Sequence, residues 1–143
     1  MIKEKIYETP ESIKIEDSVA EKFAEHYEYS WVRHNEELVT PDHVYYVDSC
    51  MVGASETKRR YNKFGLYDDY FIDKQKVERL IEYGEGHSIK VIILIGFDDK
   101  IAYLNPKTPI IKESTGGRRN RNPRRLVHYR WDDFKIVMEE QYD

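Results

Sequence analysis

A chain of 143 residues, 40% hydrophobic and 35% charged, is long enough to bury a core without disulfides and too apolar to stay disordered. A single cysteine, Cys50, excludes a disulfide framework, and no apolar run approaches the roughly 18 residues of a membrane span. The net charge of −4 argues against a non-specific nucleic-acid binder, and the charged start "MIKEKIYETP" does not read as a signal peptide, so a cytoplasmic protein is expected.

Residues 1 to 14 read as an irregular or weakly β lead-in with Pro10 as a break. "EDSVAEKFAEHYEY", 16 to 29, is a helix by its stripe of Val19, Phe23 and His26 or Tyr27, capped by Asp17 or Ser18. "WVRH" is a short strand. "DHVYYVD" and "CMVGASETKRR" are two strands joined by a turn at Asp48-Ser49. "RRYNKFGLYDDYFI" is a loop broken at Gly65. A second helix, 73 to 86, starts on Asp73, buries Val77, Leu80 and Ile81, and ends at Gly84 or Gly86. "SIKVIILIGFD" is unbroken and apolar, as a central strand covered on both faces should be. "KIAYLNP" is the next strand and "LVHYRW" the last clear one. "WDDFKIVMEE" reads as strand or short helix. The order α-β-β-α-β-β describes a sheet with helices packed on it.

If residues 42 to 56 form a hairpin centred near residue 49, Asp42 faces Glu56 and Lys58 shares their face, since strand side chains alternate. A bulge would shift that register, and Gly53 is a place for one. Two facing carboxylates repel unless a cation lies between them, and Mg²⁺ commonly uses one or two carboxylates with water and phosphate. A nearby ammonium orients or helps deprotonate the attacking water, or stabilises the charged phosphorane, so the set suits phosphodiester hydrolysis. Glu21 on the first helix is a candidate third acid, with Asp17 and Glu25 as rivals.

Pro41-Asp42 followed by Glu56-Thr57-Lys58 resembles the PD-(D/E)XK nucleases, and the helix "SVAEKFAEHY" resembles the one that carries a Glu in archaeal Holliday-junction resolvases. The resemblance spans roughly residues 16 to 105. It implies an α/β, restriction-endonuclease-like α-β-β-β-α-β core, a central mixed sheet flanked by helices. It implies a metal-dependent DNA endonuclease, on branched or on phage or host DNA, in a bacterial or phage-infected cell. Asp42, Glu56, Glu21 and the Thr57 carbonyl would hold Mg²⁺ or Mn²⁺, with Lys58 assisting the water. A residue of the second helix would join them, from Lys74, Gln75 and Lys76. The expected organisation is one nuclease domain over 1–143, with a core at about 16–105, an Arg-rich loop at 114–125 and a C-terminal strand or helix at 126–143. A homodimer would let both strands be cut.

The Arg-rich stretch "STGGRRNRNPRR" holds five arginines and no acid. Guanidinium groups bind phosphate through two oxygens at once. Arg118, Arg119, Arg121, Arg124 and Arg125 are therefore expected on a nucleic-acid backbone, with Arg59, Arg60, Lys74 and Lys76 extending the surface. DNA is the expected partner, with RNA left open. Two alternatives compete: a catalytically inactive nuclease fold that binds nucleic acid or protein, and a small regulatory protein whose acidic surface meets a basic partner.

Overall fold

Pro10 opens the first helix rather than ending a lead-in. Proline fits a first helical turn because the amide it lacks would have no partner there. In the computed structural model, which describes residues 10–34, 40–116 and 123–139, helix α1 runs Pro10–Tyr27. Asp17 and Ser18, expected as caps, are therefore helix-interior residues.

The strands follow as β1 (Ser30–Arg33), β2 (His43–Val47), β3 (Cys50–Arg59) and β4 (Tyr70–Asp73). Helix α2 (Lys74–His87) leads to β5 (Lys90–Gly96), β6 (Lys100–Leu104), β7 (Lys112–Gly116), β8 (Arg124–Tyr129) and β9 (Lys135–Glu139). The main sheet is ordered β1-β2-β3-β5-β6-β9. Among the described strands only β3 and β5 pair in parallel, and α2 lies in the crossover between them. A smaller sheet, β4-β8-β7, forms from part of the expected loop before Asp73, from both ends of the expected Arg-rich loop, whose residues 114–116 and 124–125 are strand, and from "LVHYRW". A string of side-chain bonds ties it together: Ser114 Oγ to His128 Nε2 at 2.7 Å, and His128 Nδ1 to Asp69 Oδ1 at 2.8 Å. "WDDFKIVMEE" divides into a 3₁₀ turn, Trp131–Asp133, and the edge strand β9.

The alternation of β5 sorts the core into two. Ile93 and Ile95 pack with Val77 and Leu80 of α2. Leu94 packs on the other face with Val19, Phe23 and Ala24 of α1. Burial on both sides explains the unbroken apolar run of this strand.

Helix α2 passes through both expected stop signals to a left-handed cap at Ser88. Gly84 is a contact residue: a Cβ there would lie 2.7 Å from Val91 Cγ1 and 3.1 Å from the Ile89 carbonyl. A Cβ on Gly86 would meet nothing within 4 Å. Gly86→Ala should therefore stabilise the fold by up to about 1 kcal/mol through helix propensity. Gly84→Ala should destabilise it, because α2 must back away from β5. Urea unfolding of the two variants checks the opposite signs.

Candidate active site

The β2–β3 hairpin turns on Asp48 and Ser49, both left-handed (φ 50° and 68°), so Val47 pairs with Cys50. Two successive positive φ values match the twist of the flanking strands. Carried straight back along β2, that register would set Asp42 opposite Ser55, with Glu56 on the other face. It is not carried back. Tyr46 faces Met51 but Tyr45 faces Gly53, so Val52, beside Gly53, is an extra residue in β3. From there His43 pairs with Ser55, and the next step sets Asp42 beside Glu56. The Asp42 N–H donates to the Ser55 carbonyl at 2.9 Å, and the Thr57 N–H donates to Asp42 Oδ2 at 2.9 Å. One bulge brings both acids to the same face.

Glu56 is only 3% exposed. Its Oε2 lies 3.5 Å from Lys58 Nζ and 3.6 Å from Lys76 Nζ, while its Oε1 is buried without a hydrogen-bond partner. Burial first, and the Asp42 charge second, raise the Glu56 carboxyl above its usual range; Lys58 and Lys76 pull the other way. Burial alone would lower the Lys58 ammonium, but Glu56, Asp42 and Glu16 outweigh it and hold Lys58 above the usual lysine range. The site is a compact box of two carboxylates and two ammoniums.

Of the three α2 candidates, Lys76 reaches this box. Lys74 pairs with Glu113, and the backbone N–H of Gln75 is capped by Asp73. Glu21 does not reach it. Its Oε1 accepts a 2.6 Å hydrogen bond from Trp31 Nε1, over β1. Asp17 is held by Arg33 and His43, and Glu25 is exposed. The α1 acid whose charge Lys58 feels is Glu16, whose Oε1 is also 3.4 Å from Arg33. A signal for it was present in the sequence. Glu16 extends the Ala20 and Phe23 stripe back by one turn, whereas Glu21 is rotated away from it. A helix beginning at residue 16 would leave Glu16 at its frayed end, which masks this alignment.

Behind the motif, on the α1 face, lies a polar chain that sequence reasoning missed. Tyr45 OH, Ser55 Oγ, Thr57 Oγ1 and His43 Nδ1 are joined by three contacts of 2.8 Å, and His43 Nε2 lies 2.7 Å from Asp17 Oδ1. Burial, the dominant influence, holds the His43 pKa below its ordinary value, so the ring is neutral at pH 7. One set of protons then satisfies every member. Nε2–H donates to Asp17, and Nδ1 accepts from Thr57, which accepts from Ser55, which accepts from Tyr45. The chain fixes Thr57, the residue between Glu56 and Lys58, and ties it to α1. His43→Ala should cost about 2–3 kcal/mol, since it strands buried partners on both sides. Chemical denaturation measures this.

Among the described residues the expected basic surface is largely committed internally. Arg59 donates to Asp98 at 2.9 Å and to the Arg60 carbonyl. Arg124 pairs with Asp73 at 2.7 Å, and Arg125 pairs with Glu113. The Arg60 guanidinium lies 5.9 Å from the Tyr70 ring centre. Arg118, Arg119 and Arg121 lie outside the described residues.

Among the described residues no group of three or more acids, histidines or cysteines is placed to hold a metal ion. Two facing carboxylates, one with an unpartnered buried oxygen, do fit a hard divalent cation that takes its remaining ligands from water and phosphate. A mixed sheet with α1 and α2 on opposite faces, carrying Pro41-Asp42 and Glu56-Thr57-Lys58 on a bulged hairpin, defines a PD-(D/E)XK nuclease fold. The chain belongs to the family described as "Phage putative PDDEXK endonuclease", whose model matches residues 2–140. Among solved structures it is similar to Hjc from Archaeoglobus fulgidus, a Holliday junction resolvase from an archaeal hyperthermophile. The TM-score is 0.55 at 12% identity, over 80% of this chain and 82% of that one. No curated protein sequence matches the chain.

Proposed function

We propose that the protein is a divalent-metal-dependent DNA endonuclease. The observation that carries this is the Glu56 carboxylate, buried beside Asp42 with one oxygen unpartnered and two ammoniums at the other. Asp42, Glu56 and the Thr57 carbonyl would hold Mg²⁺ or Mn²⁺. Such an ion neutralises phosphate charge and makes a bound water nucleophilic at neutral pH. Asp42 is kept in place by the Thr57 N–H. In the metal-free site Glu56, Asp42 and Glu16 hold Lys58 above the usual lysine range, and its ammonium would be a donor to the water and the phosphate oxygens. Lys76 offers a second ammonium to the phosphate. The water oxygen would form the new P–O bond in line with the P–O bond that breaks, the water's proton passing to solvent and the leaving strand oxygen taking one up from it. Glu16 replaces Glu21 in this reading as the helix acid whose charge reaches Lys58.

The resolvase likeness favours branched DNA as substrate; a homodimer would let both strands be cut. The chain acts as one domain in the cytoplasm; no described helix is long and apolar enough to cross a membrane. Supercoiled, linear, branched and single-stranded DNAs incubated with Mg²⁺, Mn²⁺ or chelator test this. Metal-dependent cutting of at least one is expected. If DNA is bound but never cut with either metal, an inactive binding module replaces the enzyme reading.

A further inference from the structure

The polar chain behind the motif does not end at His43. Asp17 Oδ1 accepts twice, from His43 Nε2 at 2.7 Å and from Arg33 Nε at 2.8 Å. The Arg33 guanidinium then reaches along α1, with Nη2 3.4 Å from the Ile13 carbonyl and 3.4 Å from Glu16 Oε1. One carboxylate oxygen is therefore a fork. One branch runs through His43 to Thr57. The other runs through Arg33 to Glu16, the α1 acid whose charge reaches Lys58.

Strand register explains why the fork stands where it does. Arg33 pairs with His43, and His43 with Ser55, so the three form one row across β1, β2 and β3 on the α1 face. Asp42 and Glu56 stand in the next row, on the face of α2, from which Lys76 reaches Glu56. Successive strand residues point to opposite faces, so a contact on the α1 face can fix the motif backbone without entering the site. Thr57 is held in this way from two directions. Its Oγ1 meets His43 Nδ1 and Ser55 Oγ, each at 2.8 Å, and its N–H donates to Asp42 Oδ2 at 2.9 Å. His43, Ser55 and Thr57 are 0% exposed, so they depend on one another for partners. A charged acceptor anchors such a chain more strongly than the neutral hydroxyl links that follow it.

We propose that Asp17 is a positioning residue for the site. Through His43 it sets Thr57 between the two motif side chains, and through Arg33 it sets how closely Glu16 approaches Lys58. The proposal rests on the nuclease reading of that site, and gives Asp17 a role without contact to metal or DNA. A metal site tolerates little displacement of its ligands, and the groups that hold them commonly account for roughly ten- to a hundredfold in affinity or rate. Without the Asp17 charge, Arg33 keeps Glu16 as an ion-pair partner and draws it from Lys58.

The test compares the full wild-type chain with Asp17→Asn, Thr57→Val and Thr57→Ser. Valine keeps the shape of threonine and removes the hydroxyl; serine keeps the hydroxyl. Electron paramagnetic resonance of free Mn²⁺ gives metal affinity. Anisotropy in chelator gives DNA affinity, and single-turnover cleavage at saturating metal gives the rate. Asp17→Asn and Thr57→Val should each weaken Mn²⁺ binding by roughly ten- to a hundredfold and slow cleavage, with metal-free DNA affinity unmoved. Thr57→Ser should behave as wild type does. The double variant Asp17→Asn/Thr57→Val should lose less than the product of the single losses, because both break one chain. Gly84→Ala controls for lost stability alone: it lies on the other face of the sheet and should bind Mn²⁺ as wild type does.

Two results overturn the proposal. Asp17→Asn and Thr57→Val could lower the urea midpoint yet bind Mn²⁺ and cut as wild type does, which makes the chain structural only. Thr57→Ser could fail as badly as valine, which removes the hydroxyl from the argument. A wild type that binds Mn²⁺, is weakened by the substitutions and cuts no DNA removes the nuclease reading and leaves Asp17 its role in the metal site. A wild type that binds no Mn²⁺ removes both.

Discussion

Metal-free Glu56→Gln protein is expected to be more stable than wild type at neutral pH, and to lose the stabilisation that Mg²⁺ or Mn²⁺ gives the wild type. The sign follows from the raised Glu56 pKa. Between its ordinary value of 4.5 and its higher folded value, the folded chain keeps a proton that the unfolded chain has released. Stability therefore falls as pH rises through that window, and the deficit is complete above it. Gln removes the buried charge and its repulsion by Asp42. The attraction of Lys58 and Lys76 is already included in the net raised pKa, so the balance favours the neutral side chain. The gain should be about 1–3 kcal/mol, the size of a buried polar group's desolvation penalty. Metal at a hundred times its Kd should add about 2.7 kcal/mol to the wild type, several degrees in Tm, and little to the variant.

His43 works in the opposite sense. Its folded pKa lies below 6.5, so its contribution is present above that pH and is lost as pH falls through the folded value. The Gln variant should thus show this acid limb alone, where wild type superimposes the two. Calorimetric scans from pH 4 to 8, with and without metal, read both effects. A wild type indifferent to either metal, together with a less stable Gln variant, would make Glu56 a structural partner of its lysines and nothing more.

Lys58→Ala should lower the cleavage rate by on the order of 10²–10³-fold, the usual loss when one preorganised charge-stabilising group leaves a reacting centre. Lys58→Arg should recover only part of the rate, since a planar fork does not reproduce a point charge. Single-turnover cleavage under saturating metal measures this. A Lys58→Ala protein that cuts at the wild-type rate would shift the role to Lys76, 3.6 Å from the same carboxylate.

Much of this protein was legible along the chain because the signals were local. The stripe Val77, Leu80 and Ile81 located α2, and the double-sided burial of β5 appears as an unbroken apolar run. Pro41-Asp42 and Glu56-Thr57-Lys58 marked the hairpin and the fold family. The differences have local causes too. Pro10 reads as a break and Gly84 or Gly86 as a helix end, although a first-turn proline leaves no amide unpaired and Gly84 answers to Val91 on another element.

What the sequence could not decide was convergence. Whether Asp42 faces Glu56 depends on one extra residue, Val52, because a one-residue slip turns every side chain to the opposite face of a sheet. Which acid of α1 approaches Lys58 depends on where that helix begins and how it crosses the sheet. Whether Arg124 and Arg125 are available to phosphate depends on Asp73 and Glu113, far from them along the chain. The sequence by itself determined the residue types, the elements and the family, since period and motif are properties of neighbours. The tertiary structure alone decided which charges meet, because charge pairing and burial depend on distances that only packing sets.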